Sequence, residues 1–354
     1  MKKNMLRDPK MDIIRCFALF CVVCVHFFKN TGFYDVTVVG FGMMALVSLR
    51  NFFMICVPLF ILLSGYLMRT KTVSFHYYLR IIPILSIYLL ASLACSLYTL
   101  MFDTRKISFT EMIAGIFGYY TAPYGWYIEM YIGLFLLIPF LNILYNNTPS
   151  KTLKQIFVGS LIFLTAGDSL FNDIFPMFPA YWTAMYPITF YFVGCYLSEY
   201  PLKLKWYISL LLIMTVFVLS GAVSCCYSYG SVFRYNKWQG HNSIITTIQT
   251  ILVFNVMMQL DCSHVGPKTA KIFSYASKWS LGAYLTSWIF DSAFYKFLNT
   301  YQFGVLDKAK FFIPITLSVY VCSLLLSAIL NGVHNLTIGK IVSRLSLMKK
   351  VKSL

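Results

Sequence analysis

A chain of 354 residues that is 59% hydrophobic and only 12% charged, with a mean hydropathy of +0.71, is not a soluble globular domain, where roughly 25% of residues are charged. It reads as a polytopic membrane protein. Its net charge of +17 then reflects membrane-side bias and contact with anionic lipid headgroups, and no soluble basic segment exists to bind nucleic acid.

Apolar runs of spanning length fall near 11–29, 52–68, 79–102, 126–145, 155–167, 183–198, 206–225, 243–260, 279–298 and 311–331, since a helix needs ~20 apolar residues to cross a bilayer. The expected fold is an all-α transmembrane bundle of about ten helices. The stretch Val36–Leu49 is too short to span alone and is set off by Arg50 and Asn51, so it reads as an outer-side or re-entrant segment. With the N-terminus inside, 19 of the 29 basic residues lie on the cytoplasmic side, which places both termini there. The first run carries a basic leader, but it is long, holds Arg15 and His26, and has no small-residue cleavage site, so it reads as an anchor helix. A single membrane-embedded domain over 1–354 is expected, with a short basic cytoplasmic tail from about 339.

Arg15 and His26 stand eleven residues apart in the first run. At ~100° and ~1.5 Å per residue they share one helix face, ~16 Å apart along the axis. An arginine within a membrane helix is kept where it faces protein or a wet cavity, which makes it a functional candidate. The simpler alternative is that Arg15 snorkels to the cytoplasmic surface and His26 caps the outer end. Cys21 and Cys24 form a C-x-x-C without a second ligand pair, so no metal is expected. Ser64 and Gly65 offer a place for close helix packing or for a narrow acyl channel. Glu129 and Asp291 are carboxylates within apolar runs, and tyrosines and tryptophans cluster at expected outer helix ends, among them Trp126, Tyr127 and Tyr235. Such rings suit sugar faces, and they also enrich at every membrane interface.

Four segments in order carry a family resemblance. They are the Arg15 and His26 pair followed by VPLFILLSGYLMR (Val57 to Arg69), YYLRIIP (Tyr77 to Pro83), GWYIEMYIGLFLLIPFL (Gly125 to Leu141) and SKWSLGAYLTSWIF (Ser277 to Phe290). Together they resemble the acyltransferase 3 family of integral membrane acyltransferases. Ser287 stands where that family often has histidine, and Tyr77 where a second arginine often precedes Arg80. The resemblance implies transfer of an acyl group, commonly acetyl, from cytoplasmic acyl-coenzyme A to a hydroxyl of a glycan or other acceptor, often across a bacterial cytoplasmic membrane. In that reading His26 is the general base, with a transient acyl-histidine as the alternative. Arg15 holds the donor, Arg69 and Arg80 pair with its phosphates, and Ser64 donates a hydrogen bond to it. Glu129, Trp126 and Tyr127 would meet the acceptor. A transporter or exporter of a glycan or anionic solute is the competing reading, because buried charges also mark transport routes. Acceptor identity, acyl length and oligomeric state are not encoded legibly.

Overall fold

The structure is a computed structural model that describes residues 8–102, 108–171, 175, 177–235 and 237–340. The basic tail expected from about 339 falls, beyond Lys340, outside the described residues. The chain is all-α. Its helices are α1 (Pro9–Asn30), α2 (Gly40–Phe53), α3 (Cys56–Met68), α4 (Phe75–Tyr78), α5 (Ile81–Phe102), α6 (Phe109–Phe117), α7 (Trp126–Asn146) and α8 (Lys151–Ala166). They continue as α9 (Asp168–Phe171), α10 (Tyr186–Glu199), α11 (Trp206–Ser228), α12 (Ile244–Met258), α13 (Pro267–Asn299), α14 (Val305–Lys308) and α15 (Phe312–Leu336). Many starts carry local signals. Asp8 caps α1 through the Lys10 N–H, with Pro9 opening the helix. Ser108 forms a reciprocal capping box with Glu111 on α6, and Ser150 and Ser243 cap α8 and α12. Each hydroxyl satisfies a backbone donor that the helix itself leaves open.

Among the described residues, six segments are long and apolar enough to cross a membrane: Pro9–Asn30, Gly40–Met68, Phe75–Phe102, Trp126–Asn146, Trp206–Ser228 and Val305–Leu336. The protein is an integral multi-pass membrane protein. The remaining expected spans fall on α8, α10 and α12, which have 16, 14 and 15 residues, and on α13, which has 33.

One expectation is corrected. The segment Val36–Leu49 is not cut off by Arg50 and Asn51: both residues lie inside α2, which with α3 makes one 29-residue apolar segment. Arg50 is fully buried inside it. Its Nε donates to Tyr34 Oη (3.1 Å), Nη1 to the Gln239 carbonyl (2.9 Å) and Asn51 Oδ1 (3.3 Å), and Nη2 to Tyr235 Oη. Asn51 in turn donates to Ser224 Oγ at 2.9 Å. The polar groups are satisfied by protein instead of water, so they do not end the helix.

The chain folds as two compact units. The first holds the described residues up to Arg69, Tyr145–Lys278 and Phe303–Phe312; the second holds Thr70–Leu144, Trp279–Gln302 and the described residues from Ile313. In the first, α3 packs most extensively on α10, with α1 on α3, α8 on α10, and α2 and α12 on α11. The α3–α10 contact is built on glycine. A Cβ at Gly65 would fall on the Tyr191 carbonyl oxygen, and one at Gly194 on the Leu62 carbonyl oxygen. Small residues let membrane helices approach backbone to backbone, where dispersion and weak hydrogen bonds hold them. The loops 31–39 and 229–243 meet through Val38 N–H to Ser231 O (2.9 Å) and Gly230 N–H to Val38 O (3.2 Å).

In the second unit α15 shows the pattern of a lipid-facing helix. Thr316, Ser323, Ser327, Asn331 and His334 are buried and lie within ~80° on one stripe, while Val321, Leu325 and Ile329 are exposed. Ser327 Oγ donates to the Trp279 carbonyl at 2.6 Å, and Ser86 Oγ lies 2.7 Å from His334 Nδ1.

Candidate functional site

Helix α1 carries the first constellation. Asp12, Arg15, Leu19, Val22 and His26 share one face by their spacing. Asp12 is buried, and Arg15 and His26 are half-buried. Arg15 Nη1 donates to Ser277 Oγ at 2.8 Å, so the guanidinium is bonded to protein and does not only reach for a membrane surface. Ser277 opens the SKWSLGAYLTSWIF run, so this bond joins the first and last of the four segments singled out in the sequence. Two further bonds fix α1 at this end: Lys10 Nζ donates to the Met258 carbonyl (3.0 Å) and Cys16 Sγ to the Phe273 carbonyl (3.7 Å). Near the other end the His26 carbonyl accepts from Asn30 Nδ2 at 2.8 Å. Cys21 and Cys24 are buried in α1, and among the described residues no three His, Cys, Asp or Glu side chains gather as a metal-binding group.

A charged cluster sits at the end of α3. Arg69 Nη1 lies 3.3 Å from Glu199 Oε2, and Lys154 Nζ contacts both Glu199 oxygens at 3.1 and 2.8 Å. Lys154 also stands over the Tyr145 ring, 4.7 Å from its centroid, a favourable cation–π placement. Burial alone would raise the Glu199 carboxyl, but Lys154, Tyr200 and Arg69 together hold it below its ordinary value. Two cations share one carboxylate, so the cluster keeps an excess positive charge. Ser64 spends its hydroxyl proton on the Phe60 carbonyl of its own helix, at 2.9 Å.

The second unit holds the remaining expected residues. Trp126 and Glu129 are exposed near the start of α7, whereas Tyr127 is buried against Tyr284, with ring centroids 5.5 Å apart. Tyr124 Oη donates to Asp291 Oδ2 at 2.8 Å. These contacts bring the GWY and LGAYL segments together. Ser287 is buried and donates to the Tyr284 carbonyl of its own helix. Arg80 is exposed just before α5 and belongs to the second unit, whereas Arg69 belongs to the first.

A profile of an acyltransferase domain matches residues 8–332. The chain belongs to the acyltransferase 3 family. No curated protein and no solved structure matches it. Family membership makes this a membrane acyltransferase. All four segments singled out in the sequence lie inside the matched span.

Reading the sequence missed several polar groups. Asp12 was visible as an acid one turn before Arg15. Arg50 is visible as a charge in an apolar run, where the pattern marks it as a boundary. The Lys154–Glu199 and Ser86–His334 pairs join residues far apart in the chain, and no spacing rule announces them.

Proposed function

We propose that the protein transfers an acyl group, acetyl in the simplest case, from cytoplasmic acyl-coenzyme A to a hydroxyl of a glycan acceptor on the extracytoplasmic side. The observation that carries this reading is the α1 face of a family member, with an arginine held by Ser277 at one end and a histidine near the other. The acceptor hydroxyl ionises only far above neutral pH, so it needs a base, and His26 is the group on that face able to take its proton. As the hydroxyl oxygen attacks the thioester carbonyl, the C–S bond breaks and the proton passes from His26 to the departing thiolate.

Arg15 anchors the donor, with Ser277 fixing the direction of the guanidinium fork. Arg69 and Lys154 share Glu199, and their excess positive charge suits the phosphates of coenzyme A; the role of Arg80, exposed in the second unit, is likewise to pair with phosphate. Ser64 has only lone pairs left, so its contribution is to accept a hydrogen bond from the donor. Exposed Trp126 and Glu129 meet the acceptor, and Tyr127 shapes the wall behind them.

The test is transfer from labelled acetyl-coenzyme A to a glycan acceptor by the purified protein. Removing a general base lowers turnover by ~10²- to 10⁴-fold, so His26→Ala is expected to lose transfer while still folding. Arg15→Ala is expected to weaken the donor's KM as well. Folded variants that keep full transfer would refute the assigned roles.

A further inference from the structure

Arg50 is a buried cation held by neutral groups. It is fully buried, and among the described residues no carboxylate pairs with it. Of the five N–H groups of a guanidinium, four donate to neutral oxygens: the hydroxyls of Tyr34 and Tyr235, the Gln239 carbonyl and the Asn51 amide. Three rings close around it, Tyr235, Phe233 and Tyr34, with centroids 4.5, 5.4 and 6.0 Å from its central carbon. Buried charges are ordinarily paired with an opposite charge.

The surroundings say what would fit. Tyr34 and Tyr235 come from the two loops tied together at Val38 and Gly230. Tyr235 is 63% exposed, so Arg50 lies one side chain below a solvent-facing aromatic surface. Both phenol groups stand where a two-oxygen anion would accept from Nε and Nη2. A carboxylate matches that fork in geometry as well as charge, and the rings suit the apolar face of a pyranose.

We propose that Arg50, with Tyr34, Phe233 and Tyr235, binds the carboxylate of an acidic saccharide, the two tyrosine hydroxyls holding the anion's place until it arrives. This rests on the reading above in taking that saccharide to be the acyl acceptor. A phosphate carried by a lipid headgroup shares the charge but not the pyranose face, so the saccharide is favoured.

The experiment measures binding alone, with no acyl donor, on the full chain in neutral-lipid nanodiscs. The probes are a glucuronate-containing trisaccharide and its carboxyl-reduced counterpart. A charge-assisted contact predicts that the uronate binds about ten- to a hundredfold tighter, with the advantage shrinking as salt rises. Arg50→Gln is expected to erase the difference between the probes. Because Arg50 also ties the loops down, Tyr235→Phe is the second variant: with the competing hydroxyl gone, uronate affinity should rise severalfold. Equal binding of the two probes to the native protein overturns the proposal, as does an unchanged preference in folded Arg50→Gln or an unchanged or weaker uronate affinity in Tyr235→Phe. Binding that follows phosphatidylglycerol added to the nanodiscs instead of the uronate overturns it in favour of a lipid. Selective binding without any acetyl transfer would leave this site standing while the acyltransfer reading fell.

Discussion

Replacing Glu199 by glutamine removes the carboxylate that Lys154 and Arg69 share. The Lys154 side chain is 8% exposed and that of Glu199 26%. Breaking a fully buried pair costs about 3–5 kcal/mol, and an exposed one less than about 1. With a quarter of the carboxylate surface reaching water, we expect a loss of about 2 kcal/mol in Glu199→Gln. The double variant Lys154→Met with Glu199→Gln removes the stranded cation too and should recover about 1 kcal/mol or more of that loss. Reversible unfolding in mixed micelles measures all four corners of the cycle. If the double variant is as unstable as the sum of the two single ones, Lys154 and Glu199 do not interact and the argument fails. Acid adds an independent check. The folded carboxyl is held below its ordinary value, so its contribution is complete above the unfolded pKa of ~4.3 and disappears as pH falls through the lower folded value. The native protein should therefore lose more stability on acidification than Glu199→Gln.

Three further outcomes are expected. Gly65→Val places a side chain on the α10 backbone and should destabilise by at least the ~1–3 kcal/mol typical of overpacking; thermal unfolding equal to that of the native protein contradicts the contact. Ser277→Ala removes a hydrogen bond to a charged group, worth ~1.5–3 kcal/mol, and should lower kcat/KM for transfer about tenfold or more without unfolding the chain. Full activity in that variant would free Arg15 from its assigned support. His241, half-buried, donates from Nδ1 to the Met54 carbonyl at 2.9 Å and is pushed down to about 4 by desolvation, with Arg50 adding to the shift. Its unfolded form takes up a proton near ~6.5, so stability should start to fall below that pH and go on falling to about 4. A His241→Gln protein that keeps the same slope between these limits would remove His241 as the cause.

Class and motif pairing were legible because they are written in composition and spacing. Apolar length announces helices, and eleven residues place Arg15 and His26 on one face whatever surrounds them. The Arg50 pocket was not legible, because apart from the adjacent Asn51 its partners lie 16, 185 and 189 positions away and are neutral, so little in the local pattern marks a cation as satisfied. Arg69 shows the same limit. Its side of the helix could be expected from charge bias, but its Glu199 partner stands 130 positions on and changes how much of its charge is left for a ligand. The α2 boundary was misplaced for a related reason: burial of Arg50 and Asn51 depends on loops that fold back onto the helix, which no hydropathy window sees.

The seam between Gly65 and Gly194 narrows where an acyl group can travel. The space vacated by two absent side chains is occupied by the opposing main chain, so it is a sealed joint with no bore, and a two-carbon fragment has no way to slip through it. Traffic between the leaflets would have to pass outside this α3–α10 contact face.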